Sequence, residues 1–161
     1  MNKVSDHLSI RFLSEDDSDF VKKIWTNPDV RAYLGGIVSD EEAMRRFDQM
    51  LNEQNRIAWH YVVESAMEKT GIVSLDLHHK RESYELSYQF LPEYWGKGLA
   101  HTALTQILND IRARLNLDRV VAETQEKNVA SNKLLIKLGM KETDRCLRFN
   151  ERQVLYELHF K

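Results

Sequence analysis

Residues 92–101, Pro92-Glu93-Tyr94-Trp95-Gly96-Lys97-Gly98-Leu99-Ala100-His101, separate two hydrophobic patterns of different period. Before them, residues 84–90 alternate large apolar with mostly polar side chains, the pattern of a half-buried strand. After them, Leu99, Ala103, Leu104, Ile107, Leu108, Ile111 and Leu115 recur at three- and four-residue spacing, one face of a helix. A change from period two to period 3.6 across a glycine turn specifies strand, loop and helix in that order. Gly96 and Gly98 leave the loop amides unshielded, and the first turn of a helix adds unpaired N–H groups and the positive end of its dipole. Such a loop attracts anions, phosphate above all, and Lys97 adds a full positive charge. Taken alone, the tripeptide more often marks an ordinary tight turn. The spacing of a triphosphate-binding loop is absent, and so is the third glycine of a dinucleotide fingerprint.

The wording Trp95, Gly96, Lys97, Gly98, Leu99, Ala100 resembles the Gln/Arg-x-x-Gly-x-Gly/Ala pyrophosphate loop of the GNAT superfamily of acetyl-CoA-dependent N-acetyltransferases. Trp95 departs from that pattern at its first position. Tyr-Trp-Gly-Lys-Gly is similar to one branch, the ribosomal-protein N-terminal acetyltransferases of the RimJ/RimL type. Residues 27–35, Asn-Pro-Asp-Val-Arg-Ala-Tyr-Leu-Gly, resemble the N-terminal part of the same branch, so the likeness covers roughly residues 8–160. It implies a mixed α/β fold: a mostly antiparallel sheet, a central splayed parallel strand pair, and flanking helices.

Composition sets the frame. The chain has 161 residues, 42% hydrophobic and 30% charged, which suits one domain over residues 1–161. With 23 Lys+Arg against 25 Asp+Glu there is no global field for nucleic acid. No apolar run is long enough to span a bilayer, and residues 1–7 lack the apolar core of a signal peptide. A cytoplasmic location and no membrane partner are expected. The single cysteine, Cys146, suits a reducing compartment and is read as a strand residue without chemistry.

In chain order, residues 8–13 read as a strand and Ser14 as the cap of a helix with the acidic first turn Glu15, Asp16, Asp17. Pro28 opens a short helix over residues 29–34, ended by Gly35 and Gly36. Ser39 and Glu42 form a capping box for a helix to about Asn52. Strands are expected over 57–64, 71–78 and 84–91, joined by polar turns at 65–70 and 79–83 and therefore antiparallel. A further strand, 119–124, follows a helical connection and is expected to lie parallel to the one before it. Asn128 to Ser131 opens a last helix closed by Gly139, and residues 142–149 and 153–160 read as a hairpin.

The resemblance assigns chemistry to several positions. The splay is implied between the strand ending at Leu91 and strand 119–124, leaving the backbone groups of Phe90 and Leu91 for the pantetheine arm and a nearby N–H for the oxyanion. Asn128-x-x-Ser131, followed by Lys137-Leu138-Gly139-Met140, looks like the second GNAT motif. Asn128 suits the pantetheine amides, with a helix cap as the alternative. Many relatives carry a tyrosine four residues before the glycine, where Leu135 stands; the Rim-type branch uses the motif serine, so Ser131 becomes the donor to the departing thiolate. Glu85, on the strand entering the loop, is the candidate base that takes a proton from the amine, with an exposed strand carboxylate as the plain alternative. The six histidines offer no metal-ligand spacing, His78 and His79 being adjacent, and His60 reads as a polar strand position. Expected partners are acetyl-CoA as cosubstrate, no metal, and an amine acceptor. The acceptor is a protein N-terminus, or else a small molecule such as a polyamine, an aminoglycoside or an amino-acid-like toxin. A CoA-binding module without turnover and a homodimer stay open. If residues 96–101 cradle the pyrophosphate, Gly98→Asp adds both a side chain and a negative charge there and should abolish acetyl-CoA binding; unchanged affinity by calorimetry would place the cofactor elsewhere.

Overall fold

The computed structural model describes residues 7–78 and 83–160, so all but Ser83 of the expected turn at 79–83 lies outside the described residues. Strand β1 (Leu8–Phe12) leads through a 3-10 turn (Glu15–Asp17) into α1 (Ser18–Trp25), then α2 (Pro28–Arg31) and α3 (Asp40–Glu53). β2 (Trp59–Ser65), β3 (Glu68–Leu77) and β4 (Tyr84–Phe90) follow. α4 (Leu99–Leu115), β5 (Arg119–Gln125), α5 (Val129–Lys137), β6 (Lys141–Arg148) and β7 (Glu151–His159) complete the order. The seven strands form one sheet, β1-β2-β3-β4-β5-β7-β6, antiparallel throughout except between β4 and β5.

Period-two alternation gives the sheet two unlike faces. On one, Val63, Val73, Leu75, Leu86, Phe90, Val120, Ala122, Val154 and Tyr156 pack against the apolar stripe of α4 and against Leu135 of α5. Leu104 and Ile107 are almost wholly buried there, each contributing roughly 1.5–3 kcal/mol by the usual transfer scale. On the other, Val62, Ile72 and Leu91 meet Phe20, Val21 and Ile24 of α1 and Phe47 and Met50 of α3. The second core lies over β2, β3 and the end of β4, which leaves the polar residues of β4 on that face beside it rather than under it.

Several boundaries differ from the sequence reading, each for a local reason. The acidic turn after Ser14 is 3-10, and Asp17 is fully buried rather than a surface dipole partner. Burial would raise its pKa, but bonds from Arg11 (2.7 Å), Lys69 (2.7 Å) and the Ser14 N–H (2.9 Å) overcome that and hold it well below the carboxylate range. The helix expected over 29–34 stops at Arg31, whose side chain bonds the carbonyls beyond it. β3 begins at Glu68, because Ala66 and Met67 both take positive φ (51° and 67°) and close a two-residue hairpin turn. Phe149 and Asn150 (56° and 60°) do the same between β6 and β7.

Gly71 connects this architecture to the gap described below. It stands opposite Phe90, and a Cβ there would strike the Phe90 ring and come within 2.7 Å of the Gln89 carbonyl. Gly71→Ala must push β4 aside, and a loss of about 1–3 kcal/mol is expected from overpacking. The check is a lower melting temperature together with weaker acetyl-CoA binding; a loss of stability with unchanged binding would uncouple Phe90 from the cofactor groove.

Candidate active site

β4 pairs with β3 along its whole length, but with β5 in one register position, Glu85 with Val121. Beyond that pair the two strands part. The Leu91 N–H donates to the Thr70 carbonyl (2.9 Å), which makes Gly71 and Phe90 a non-hydrogen-bonded pair of the β3–β4 ladder. Alternation then turns the backbone groups of Leu86, Tyr88 and Phe90 toward β5. The expectation that both Phe90 and Leu91 keep free backbone groups needs correcting. Leu91 has spent its amide on Thr70 and buries its side chain, and the Phe90 carbonyl accepts the Trp95 indole N–H at 2.8 Å. What faces the gap is the Phe90 N–H and both backbone groups of Tyr88. Trp95 thus ties the glycine loop back to the strand it leaves.

The loop itself follows from two glycines in the left-handed region, Gly96 at φ +74° and Gly98 at φ +78°. No atom lies within 4 Å of where either Cβ would be, so the requirement is conformational and the space above the loop is open. Gly98 caps α4, whose first intrahelical bond runs from Thr102 N–H to the Gly98 carbonyl. The N–H groups of Leu99, Ala100 and His101 therefore lack helical partners, and no acidic residue occupies the first turn. Exposed Lys97, its Nζ 6.0 Å from the Tyr94 ring centre, completes a cradle with the charge and donors a pyrophosphate requires.

Across the gap, α5 brings its first turn to β4. Asn128 is the N-cap, its Oδ1 accepting the Ser131 N–H (3.2 Å), so the capping alternative is realised. Its amide nitrogen makes no hydrogen bond among the described residues and is left to donate outward. Ser131 Oγ lies 2.6 Å from the Tyr88 hydroxyl. Burial raises the Tyr88 pKa to about 12, so the phenol keeps its proton. Sequence reasoning passed over Tyr88, because an aromatic at an inward pleat position reads as core. Leu135 is core, 1% exposed.

The opposite face of β4 carries Glu85, Ser87 and Gln89. Glu85 stands directly opposite Asp76 of β3. Burial, then Asp76, then Glu123 push its pKa up to about 8, against the pull of Arg148 and a hydrogen bond from the Glu123 backbone. Asp76 is pushed to about 6 by burial and by Glu53. Glu123 is held by Arg148 (2.8 Å) and His78 (3.1 Å). Further along, Gln89 Oε1 accepts from Arg31 (3.3 Å), which is 6% exposed and also bonds the Leu34 (2.6 Å) and Gly36 (3.0 Å) carbonyls while stacking on Trp25. Arg31 thereby fixes the loop bearing exposed Tyr33, Leu34 and Ile37 beside this face. His60 is buried, bonded to Ser74 Oγ (2.7 Å) and lowered to about 4 by burial. Among the described residues no group of His, Cys, Asp or Glu side chains is arranged to hold a metal ion.

A parted parallel strand pair with an anion cradle at the following helix defines a class of acyl-CoA-dependent transferases, and comparison bears this out. Residues 7–141 match the acetyltransferase (GNAT) domain family, and the chain belongs to it. Over 144 residues it is 26% identical to the uncharacterized N-acetyltransferase YoaA of Bacillus subtilis (strain 168), covering 86% of this chain and 81% of that protein. The fold matches spermidine N-acetyltransferase from Vibrio cholerae in complex with CoA and spermine (TM-score 0.82, 20% identity, 96% of each chain). It equally matches the acetyl transferase from Salmonella typhimurium that modifies the N-terminal serine of 50S ribosomal subunit protein L7/L12 (TM-score 0.84, 17% identity, 98% of each chain). The protein is a GNAT N-acetyltransferase whose structural neighbours act on both protein and polyamine amines.

Proposed function

We propose that the chain moves the acetyl group of acetyl-CoA directly onto the α-amino group of a protein N-terminus. The observation that carries this reading is the gap itself, with a carboxylate of raised pKa on one face of the sheet and a hydroxyl pair on the other. The loop of Gly96, Lys97, Gly98, Leu99, Ala100 and His101 holds the pyrophosphate. Asn128, the Tyr88 backbone and the Phe90 N–H align the pantetheine arm and the thioester in the gap. The amine approaches from the Glu85 face, attacks the thioester carbonyl, and passes its proton through water to Glu85 farther along β4. The Phe90 N–H, rather than that of Leu91, steadies the developing oxyanion, and Ser131 supports the leaving sulfur from the other face. No helix of the described residues is long and apolar enough to cross a membrane.

The acceptor class rests on matched acidity and on shape. A base titrating at about 8 shares a proton readily with an α-amino group, whose pKa is about 7.7–8.0. An aliphatic amine at about 10.4 holds its proton some two pH units more tightly, roughly 3 kcal/mol. The apolar rim of Tyr33, Leu34 and Ile37 offers contact area to the residues following a peptide N-terminus. Release of CoA thiol against N-terminal peptides, polyamines and aminoglycosides tests this; a peptide is expected to give the largest kcat/KM, and a polyamine or aminoglycoside in first place overturns the acceptor class. The pH profile tests the base separately. Below a pH of about 8 kcat/KM should fall, through ionisation of Glu85 and of the amine together. Glu85→Gln should remove the carboxylate's share and lower the plateau; a profile identical to wild type assigns the base to another group.

A further inference from the structure

We infer that Tyr88 is a positioning residue for thiolate departure: its hydroxyl donates to Ser131 Oγ and so turns the single Ser131 hydrogen toward the gap. The inference rests on the reading of Ser131 as donor to the sulfur. A serine hydroxyl has one hydrogen and a freely rotating torsion, so by itself it spends its donor on whatever acceptor is nearest. Here that neighbour is the Tyr88 oxygen at 2.6 Å, and between two hydroxyls either can donate. Only one of the two arrangements is useful. With Tyr88 donating, Ser131 has its acceptor side satisfied and its hydrogen free for sulfur. With Ser131 donating, the sulfur meets lone pairs.

Four features favour the first arrangement once a thioester fills the gap. A bound sulfur that gains negative charge accepts the Ser131 hydrogen, and the chain Tyr88 to Ser131 to sulfur then runs in one direction, each bond strengthening the next. The Ser131 backbone is fixed by the Asn128 cap, which keeps the residue beside Tyr88. The nearby Tyr156 hydroxyl donates to Asn132 Oδ1 at 2.6 Å and does not compete for Ser131. A phenol whose pKa is raised to about 12 by burial stays a donor throughout the working range. The step balances simply. The C–N bond forms, the C–S bond breaks, the amine proton passes through water to Glu85, and the electron pair of the broken bond leaves on sulfur under the Ser131 hydrogen bond.

Tyr88→Phe keeps the ring and removes the donor. It should lower kcat by roughly ten- to a hundredfold with the Kd for acetyl-CoA held within about twofold. Ser131→Ala should fall as far, and the double variant no further, since the two hydroxyls act as one unit. 4-Fluorophenylalanine at position 88, which fills the hydroxyl's space without donating, should match Phe and serves if the Phe variant loses its cooperative melt. 4-Aminophenylalanine, which can donate, should recover most of the rate. A wild-type kcat in Tyr88→Phe beside a slow Ser131→Ala overturns the inference and leaves Ser131 in its role. Losses that multiply in the double variant overturn it as well. A wild-type single-turnover rate in Ser131→Ala overturns the role of Ser131 itself, and this inference with it.

Discussion

One parallel backbone pairing, Glu85 with Val121, governs the molecule, because it joins two sheet halves that are otherwise each complete. β1 to β4 form an antiparallel unit, and β5, β7 and β6 form another. Full pairing between β4 and β5 would close the gap and consume the Tyr88 and Phe90 backbone groups. No pairing would leave the halves held by side chains alone. Helix α4, which crosses from the end of β4 to the start of β5, makes the compromise stable. Its apolar stripe packs on both halves at once, so the halves are fixed although their edges part.

The parting also separates two chemically unlike groups, a carboxylate pair and a hydroxyl pair. Glu85 and Asp76 lie on the face of α1 to α3, where burial and the neighbouring carboxylates raise both pKa values, so that Glu85 holds a proton more tightly than an ordinary carboxylate. Ser131 and Tyr88 lie on the face of α4 and α5, among apolar neighbours that keep the phenol protonated. The proposed reaction, which takes a proton on one side and sheds a negative sulfur on the other, needs this asymmetry. The alternation of a single strand provides it, since Glu85 and Tyr88 are three residues apart and so point to opposite faces.

Much of this was legible in the sequence, for identifiable reasons. The glycine loop and α4 were readable because a change of hydrophobic period and two glycines at positive φ are local signals. The parallel relation of β4 and β5 followed from the length of the helical crossover. Leu91 misled, because one residue decides which amides face a neighbour and the Thr70 carbonyl that claims its N–H lies twenty-one positions earlier. Tyr88 was hidden by its pattern, since an inward aromatic looks the same whether its hydroxyl meets a methyl or a serine. The start of β3 was placed late because Ala66 and Met67 carry no residue signature of the left-handed turn they adopt. Asp76 beside Glu85 is a matter of register, which no single segment records.

Arg31 grips its loop by the carbonyls of Leu34 and Gly36, not by any side chain. Every residue type has a carbonyl, so the anchorage is indifferent to what Tyr33, Leu34 and Ile37 happen to be. Those side chains can be exchanged for charged, small or aromatic ones while the strand, the gap and the cradle keep their places. If that loop meets the acceptor, as proposed, the scaffold separates the part that does the chemistry from the part that chooses the customer, and clientele can change by rewriting a few exposed letters.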